Sequence, residues 1–390
     1  MKIPSVLPDP EPNARIHSAR LVEFIRSELA AQHGSMPFER FMELALYAPG
    51  LGYYSAGARR FGAGGDYVTA PEITPLFARC LARQCQQILL RTGGDILELG
   101  AGSGTMAADL LTELEALGCL PDRYRILEVS GALRVQQWET LSHRIPHLLS
   151  RVVWLDGLPE AGLHGVILGN EVLDALPVRR FRMTAQGPRP LCVAWEEPGF
   201  VWRLGSDDPS LDEAVHEIVS DIGAELPTGY ESEINRLLLP WLASLAECLS
   251  AGLILLIDYG YPRREYYHWQ RAMGTLLCHY RHHVHDDPLI LVGLQDITAS
   301  VDFTAVATAA VAAGLRVAGY TSQSYFLFGC GLETILSEVV ERDDYLEFVR
   351  QVKLLTLPSE MGERFKAIGL TKGWEAPLRG FGGFDERGRL

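Results

Sequence analysis

No run in the 390-residue chain reaches the roughly 20 consecutive apolar residues that a membrane-spanning helix needs, so membrane insertion is not expected. Cysteine is sparse. The seven, Cys80, Cys85, Cys119, Cys192, Cys248, Cys278 and Cys330, form no C-x-x-C pair and no regular spacing, which argues against a zinc ribbon and a disulfide scaffold and favours a reducing compartment. Positive charge is short too. A net charge of −14 repels a phosphate backbone overall, so nucleic acid is a poor partner. The local exception is Arg263, Arg264, Arg271 and Arg281 with His279, His282, His283 and His285, which reads as a solvated or substrate-facing loop. The first twenty residues hold Asp9, Glu11 and three prolines by position 10, and lack the order of a signal or transit peptide. A cytoplasmic location is the expectation.

Hydrophobic residues make up 47% of the chain, enough to bury one large or two moderate cores. Its most informative stretch is ILELGAGSGTMAADLL, residues 96–111. Ile96, Leu97 and Leu99 end a buried strand, and Met106, Leu110 and Leu111 have the spacing of a packed helix face. Between them Gly100, Gly102 and Gly104 permit positive φ and let a ligand approach the backbone, while the next helix offers free N–H groups to a negative group. Further strands are expected at Tyr124–Val129, Val152–Leu155, Gly165–Leu168 and 252–260. Helices are expected from about Pro75 to Leu90, Gly131 to His143, Leu211 to Gly223 and Glu233 to Ser250, and a β-hairpin around 178–204. Alternating strands and helices predict a doubly wound parallel α/β sheet with its ligand at the carboxyl ends of the strands.

Those ends are chemically loaded: Glu98 and the glycines, then Glu128, Asp156, Asn170-Glu171 and Asp258-Tyr259. A dinucleotide fingerprint would need glycine at 105, where Thr105 stands. S-adenosylmethionine suits a carboxylate-rich cleft better. Its carboxylate can meet the helix N-terminus, its ribose hydroxyls Glu128, and its adenine amino group Asp156, whereas pyrophosphate would be repelled.

The segments YAPGLGYY (47–54), GDYVTAPEITP (65–75), ELGAGSGTMAADL (98–110), LEVSGALRVQQ (127–137), NEVLDALPV (170–178), IDYG (257–260), GTLLCHYRHHVHDDPL (274–289) and QDITASVDF (295–303) together resemble the MidA family. These are class I methyltransferases, whose mitochondrial members are complex I assembly factors that symmetrically dimethylate an arginine. The resemblance implies a Rossmann-like sheet, S-adenosyl-L-methionine as cofactor and a protein substrate. Departures at Tyr67, Ala70 and Val292-Gly293 bear on substrate identity rather than on the cofactor site.

The resemblance places GDYVTAPEITP, with Thr69, Pro71 and Glu72, over the cofactor. Residues 1–94 read as a helical cap that excludes water, hinged at Gly62, Gly64 and Gly65. A methyltransferase domain is expected over 95–330, with insertions at about 178–250 and 261–300, and a helical extension over 331–390. NEVLDALPV carries the chemistry: Glu171 and Asp174 are the candidate catalytic carboxylates, since a protonated guanidinium becomes a nucleophile only when oriented and relieved of a proton. The alternative is a helix-capping loop. Asn170 fixes the loop or binds the cofactor ammonium; Asp258, Tyr259 and His279 are candidate substrate residues. No metal is expected, because HHVHDD does not converge its ligands. Three functions stay open: a protein arginine methyltransferase, a methyltransferase of another nucleophile, and a cofactor-binding assembly factor without turnover. A homodimer is left open.

Overall fold

The computed structural model describes residues 7–56, 69–338 and 345–390. Gly62, Gly64, Gly65 and Tyr67 lie outside them. Two compact units share the chain.

One unit takes residues from 68–173, 238–260 and 303–390. Its sheet comprises β1 (Asp95–Leu99), β2 (Tyr124–Leu127), β3 (Val152–Leu155), β4 (Leu163–Asn170), β5 (Leu249–Tyr261), β6 (Arg316–Ser322) and β7 (Phe365–Lys372), in the order β3-β2-β1-β4-β5-β7-β6. Pairing is parallel from β3 through β5, while β7 runs antiparallel to both β5 and β6. Ile96, Leu97, Val166, Ile167 and Leu168 are all buried, so β1 and β4 are apolar on both faces, as central strands of a helix-covered sheet must be. Fully burying each such side chain contributes about 1.5–3 kcal/mol.

Three helices flank the carboxyl ends of the first strands. α1 (Pro75–Thr92) starts with proline at a position where no N–H is needed, behind the Thr74 cap. α2 (Thr105–Ala116) leaves the glycine turn, and α3 (Gly131–Arg144) is capped by Ser130, whose hydroxyl accepts the Leu133 N–H at 3.4 Å. Cys80, Leu81 and Ile88 of α1 share one apolar cluster with Ile96 and Leu110.

The other unit takes residues from 1–67, 174–237 and 261–302. Its larger sheet runs Ser35–Pro37, Gly187–Glu196, Arg179–Thr184, Glu231–Ile234, with Gly199–Leu204 also on Gly187–Glu196. A smaller sheet orders His283–His285, Leu277–Tyr280 and Asp296–Thr298.

Several expectations need correction. The segment 331–390 is not purely helical: β7, buried along nearly its whole length, completes the sheet between β5 and β6. The domain boundaries also differ. Residues 1–94 do not form one cap, because Ser35–Pro37 pairs with the insertion strand Gly187–Glu196, whereas the apolar face of α1 is buried in the sheet unit. The expected helix from Glu233 begins only at Leu238, since Glu231–Ile234 is taken up by the Arg179–Thr184 strand. The hairpin at 178–204 is a three-stranded meander.

Candidate functional site

The carboxyl ends of β1 to β5 bring most of the candidate residues into one unit. At the end of β1, Gly100, Gly102 and Gly104 have φ of +64°, +53° and +84°, left-handed values that favour glycine at each step. The turn ends on α2, whose first N–H groups have no partners within the helix. Ser103 draws a second segment to this turn: its hydroxyl donates to Glu72 and lies 2.8 Å from the Thr105 hydroxyl. Thr69 accepts the Glu72 N–H through its carbonyl at 3.0 Å, and Pro71 between them is buried.

Glu98 is 1% exposed and accepts the Tyr124 hydroxyl at 2.6 Å. Burial pushes its carboxyl up to about 7; the Tyr124 hydrogen bond opposes the shift and the charge of Glu128 adds to it. Its hydrogen bond to the neighbouring strand ties the end of β1 to β2.

Glu128, at the end of β2, is buried. One oxygen accepts the Ser130 N–H at 2.9 Å, and the other the Gln137 side-chain amide at 3.0 Å. Burial raises its pKa above the ordinary range, against the lowering effects of those two hydrogen bonds and of the Arg134 charge. Arg134 ties the ends of β2 and β3 together by donating to the Glu128 carbonyl at 2.8 Å, to Asp156 at 2.7 Å and to the Leu155 carbonyl. Asp156 itself is almost fully exposed.

Past β4, Asn170 donates to the Glu171 carboxylate at 3.1 Å. Its side-chain amide oxygen Oδ1 is buried and, among the described residues, accepts no hydrogen bond. Glu171 sits at φ +53°, and its N–H donates to the Ile257 carbonyl at 2.9 Å. A left-handed glutamate is uncommon and costs about 1–3 kcal/mol, so the surrounding bonds must enforce it.

Asp258 was expected to meet substrate. Instead its carboxylate is fully buried and accepts the backbone N–H groups of Leu173 at 2.8 Å and Tyr259 at 2.9 Å. It is a positioning residue for the turn after β4. The Tyr259 ring packs edge-on against Phe365 at 5.5 Å.

Two candidates belong to the other unit. Asp174 is 6% exposed and its carbonyl accepts the Ala299 N–H at 3.0 Å. His279 lies on the strand Leu277–Tyr280, in register with Val284 and Asp296. Among the described residues no three histidine, cysteine or acidic side chains gather as metal ligands. Nor is any described helix long and apolar enough to cross a membrane.

Sequence reasoning missed Gln137, Arg134 and Ser103. Gln137 had a readable signal. It interrupts the buried α3 stripe Leu133, Gln137, Leu141, and a buried glutamine on an apolar stripe requires partners.

These residues fit S-adenosylmethionine. The left-handed glycine turn and helix start suit its carboxylate, the orphaned Asn170 oxygen suits its ammonium, and Glu128 suits vicinal hydroxyls. Residues 80–321 match the S-adenosyl-L-methionine-dependent methyltransferase family. The chain is 42% identical to a Burkholderia thailandensis protein whose crystal structure is bound to S-adenosyl-homocysteine, with a TM-score of 0.94 over 98% of this chain and 100% of that one. It is also 27% identical over 375 residues to the mitochondrial protein arginine methyltransferase NDUFAF7 of Danio rerio, covering 89% of this chain and 85% of that protein. The Homo sapiens counterpart is 25% identical over 379 residues, covering 86% and 80%.

Proposed function

The chain belongs to the S-adenosyl-L-methionine-dependent methyltransferases, and from that premise we propose that it methylates an arginine side chain of a protein substrate, with Glu171 holding the acceptor guanidinium. The names of the mitochondrial relatives support the acceptor class. The observation that carries the proposal is the placement of Glu171 at the carboxyl end of β4, in a left-handed conformation fixed from β5.

The cofactor supplies an electrophilic methyl group. The protein must then align a nitrogen lone pair with it and take up a proton. An arginine guanidinium is always protonated in water, so a carboxylate does three things at once: it accepts two N–H groups, draws the positive charge toward a nitrogen that it contacts and away from the attacking one, and receives the proton as the C–N bond forms. Because the displacement is simple, alignment carries much of the acceleration, a contribution of up to about 7–11 kcal/mol in favourable systems. Asn170, donating to Glu171, restricts that carboxylate to one orientation. Asp174 follows as the second acid of NEVLDALPV and is proposed to assist. His279 and Tyr259 are proposed to meet substrate. Thr69, Pro71, Glu72, Glu98, Gly100, Gly102, Gly104, Glu128, Asp156 and Asn170 are proposed for the cofactor side. A cytoplasmic location belongs to the same proposal, supported by seven free thiols.

The test is quantitative proteomics of cells with and without the gene. Methyl-arginine at a defined protein site in the parent strain only, restored by the wild-type gene and not by Glu171→Gln, is the expected result. Gene-dependent methylation of another side chain or a small molecule, or no gene-dependent methylation, would overturn the arginine assignment.

A further inference from the structure

We propose that Gln137 is the positioning residue that sets the Glu128 carboxylate for the cofactor ribose and locks it to the glycine turn. The proposal rests on the reading of Glu128 as the ribose-binding acid.

Gln137 is fully buried on α3, and its side-chain amide makes three hydrogen bonds to three different strand ends. The nitrogen donates to the Gly102 carbonyl at 3.0 Å and to Glu128 Oε2 at 3.0 Å. The oxygen accepts the Trp154 indole N–H at 3.0 Å. This set has only one consistent orientation. An indole nitrogen is solely a donor, so the glutamine oxygen must face Trp154, and both amide N–H groups must then point at Gly102 and Glu128. The chemistry of the Trp154 partner thereby settles the orientation of the amide.

The consequence falls on Glu128. With Oε1 taken by the Ser130 N–H and Oε2 by Gln137, the carboxylate is held as an acceptor on both oxygens. A carboxylate has about four acceptor directions, and with a further backbone hydrogen bond from Val129 the protein takes three of them, which leaves acceptor capacity for the ribose hydroxyl edge. The same amide fixes the carbonyl of Gly102 in the middle of the turn, and α3 can come this close because position 104 is glycine: a Cβ there would stand 3.1 Å from Gln137 Cα. The ribose acid and the methionyl turn are thus set by one side chain that needs no contact with the ligand.

Titration supplies a signature that plain packing lacks. The Gln137 hydrogen bond lowers the Glu128 pKa, so its loss must move the protonation of Glu128 to higher pH. The charged groups acting on Glu128 are Arg134 on α3 and Glu98 on β1, and both remain in the variants.

Calorimetry with S-adenosylhomocysteine on the full chain tests this, using Glu128→Gln, Gln137→Leu, their combination and Trp154→Phe across a pH series. The expectation is about 30-fold weaker binding for Glu128→Gln and about 10-fold for Gln137→Leu. The double variant should be weakened by clearly less than the product of the two single losses, because most of the effect of Gln137 runs through Glu128. The acid limb of affinity should move to higher pH in Gln137→Leu and vanish in Glu128→Gln. Trp154→Phe, which leaves the core side chains in place, should weaken binding about 3-fold and move the limb the same way. If losses multiply in the double variant, or the acid limb stays put in both Gln137→Leu and Trp154→Phe, Gln137 is not the positioning residue. Should Gln137→Leu not fold, Trp154→Phe decides alone. Wild-type binding by Glu128→Gln would instead overturn the ribose reading itself.

Discussion

The carboxylate of Asp258, at the end of β5, accepts the backbone N–H of Leu173 at 2.8 Å in the turn that follows β4. With the bond from Glu171 N–H to the Ile257 carbonyl, this makes consecutive residues of β5 hold both sides of the turn that presents Glu171. Asp258→Asn puts a donor where an acceptor is required and loosens that turn. Methyl transfer should fall by about 10- to 100-fold in kcat, with cofactor affinity within about threefold of wild type, as for a displaced acid–base group. Steady-state kinetics and calorimetry on the same preparation check this. Unchanged kcat would mean that the turn keeps its shape without the bond.

The glycine turn should tolerate no side chain. At φ +53°, Gly102→Val places a β-branched residue in a region it essentially does not visit, and cofactor binding should be lost. Gly104→Ala adds a Cβ to a residue at φ +84° and crowds α3, so it should cost about 1–3 kcal/mol of stability. Chemical denaturation measures the second effect and calorimetry the first. Wild-type cofactor affinity in Gly102→Val would remove the turn from the cofactor site.

Glu98 predicts a pH-dependent stability. Its carboxyl is raised from an ordinary 4.5 to about 7 in the folded protein, so the native state binds the proton more tightly than the unfolded chain. This contribution is fully present below about pH 4.5 and is lost as pH rises through about 7, a change of about 3 kcal/mol. Glu98→Gln keeps an acceptor for Tyr124 and has nothing to titrate. Relative to wild type it should therefore gain stability between pH 5 and pH 8 in urea unfolding. A constant difference across that range would show that Glu98 does not titrate in this way.

Local periodicity made the first half of the sheet legible. Val152–Leu155 has the bounds expected, α1 and α3 begin at Pro75 and Gly131 as expected, and α2 follows directly on the glycine turn. The antiparallel β7 was not legible. Its partner β5 lies over a hundred positions earlier, and FKAIGLTK after a helical segment carries no local sign of that pairing. The loaded strand ends were legible as a group, yet the tasks of individual acids depended on partners distant in sequence. Asp258 serves Leu173, and Asp156 is exposed and tied to Arg134 across α3. Glu98 is hidden with Tyr124. Only the fold could show those contacts.

In the proposed mechanism Glu171 acts on the acceptor rather than on the cofactor. The most direct measurement is single-turnover methyl transfer to the identified arginine site by Glu171→Gln at saturating S-adenosylmethionine, beside its cofactor affinity by calorimetry. The rate should fall by about two to four orders of magnitude, with cofactor affinity nearly unchanged. Asp174→Asn should act in the same direction but less, and the two losses should not add if both acids serve one guanidinium. A wild-type transfer rate in Glu171→Gln would contradict the account, and lost cofactor binding would move Glu171 to the cofactor's side of the reaction.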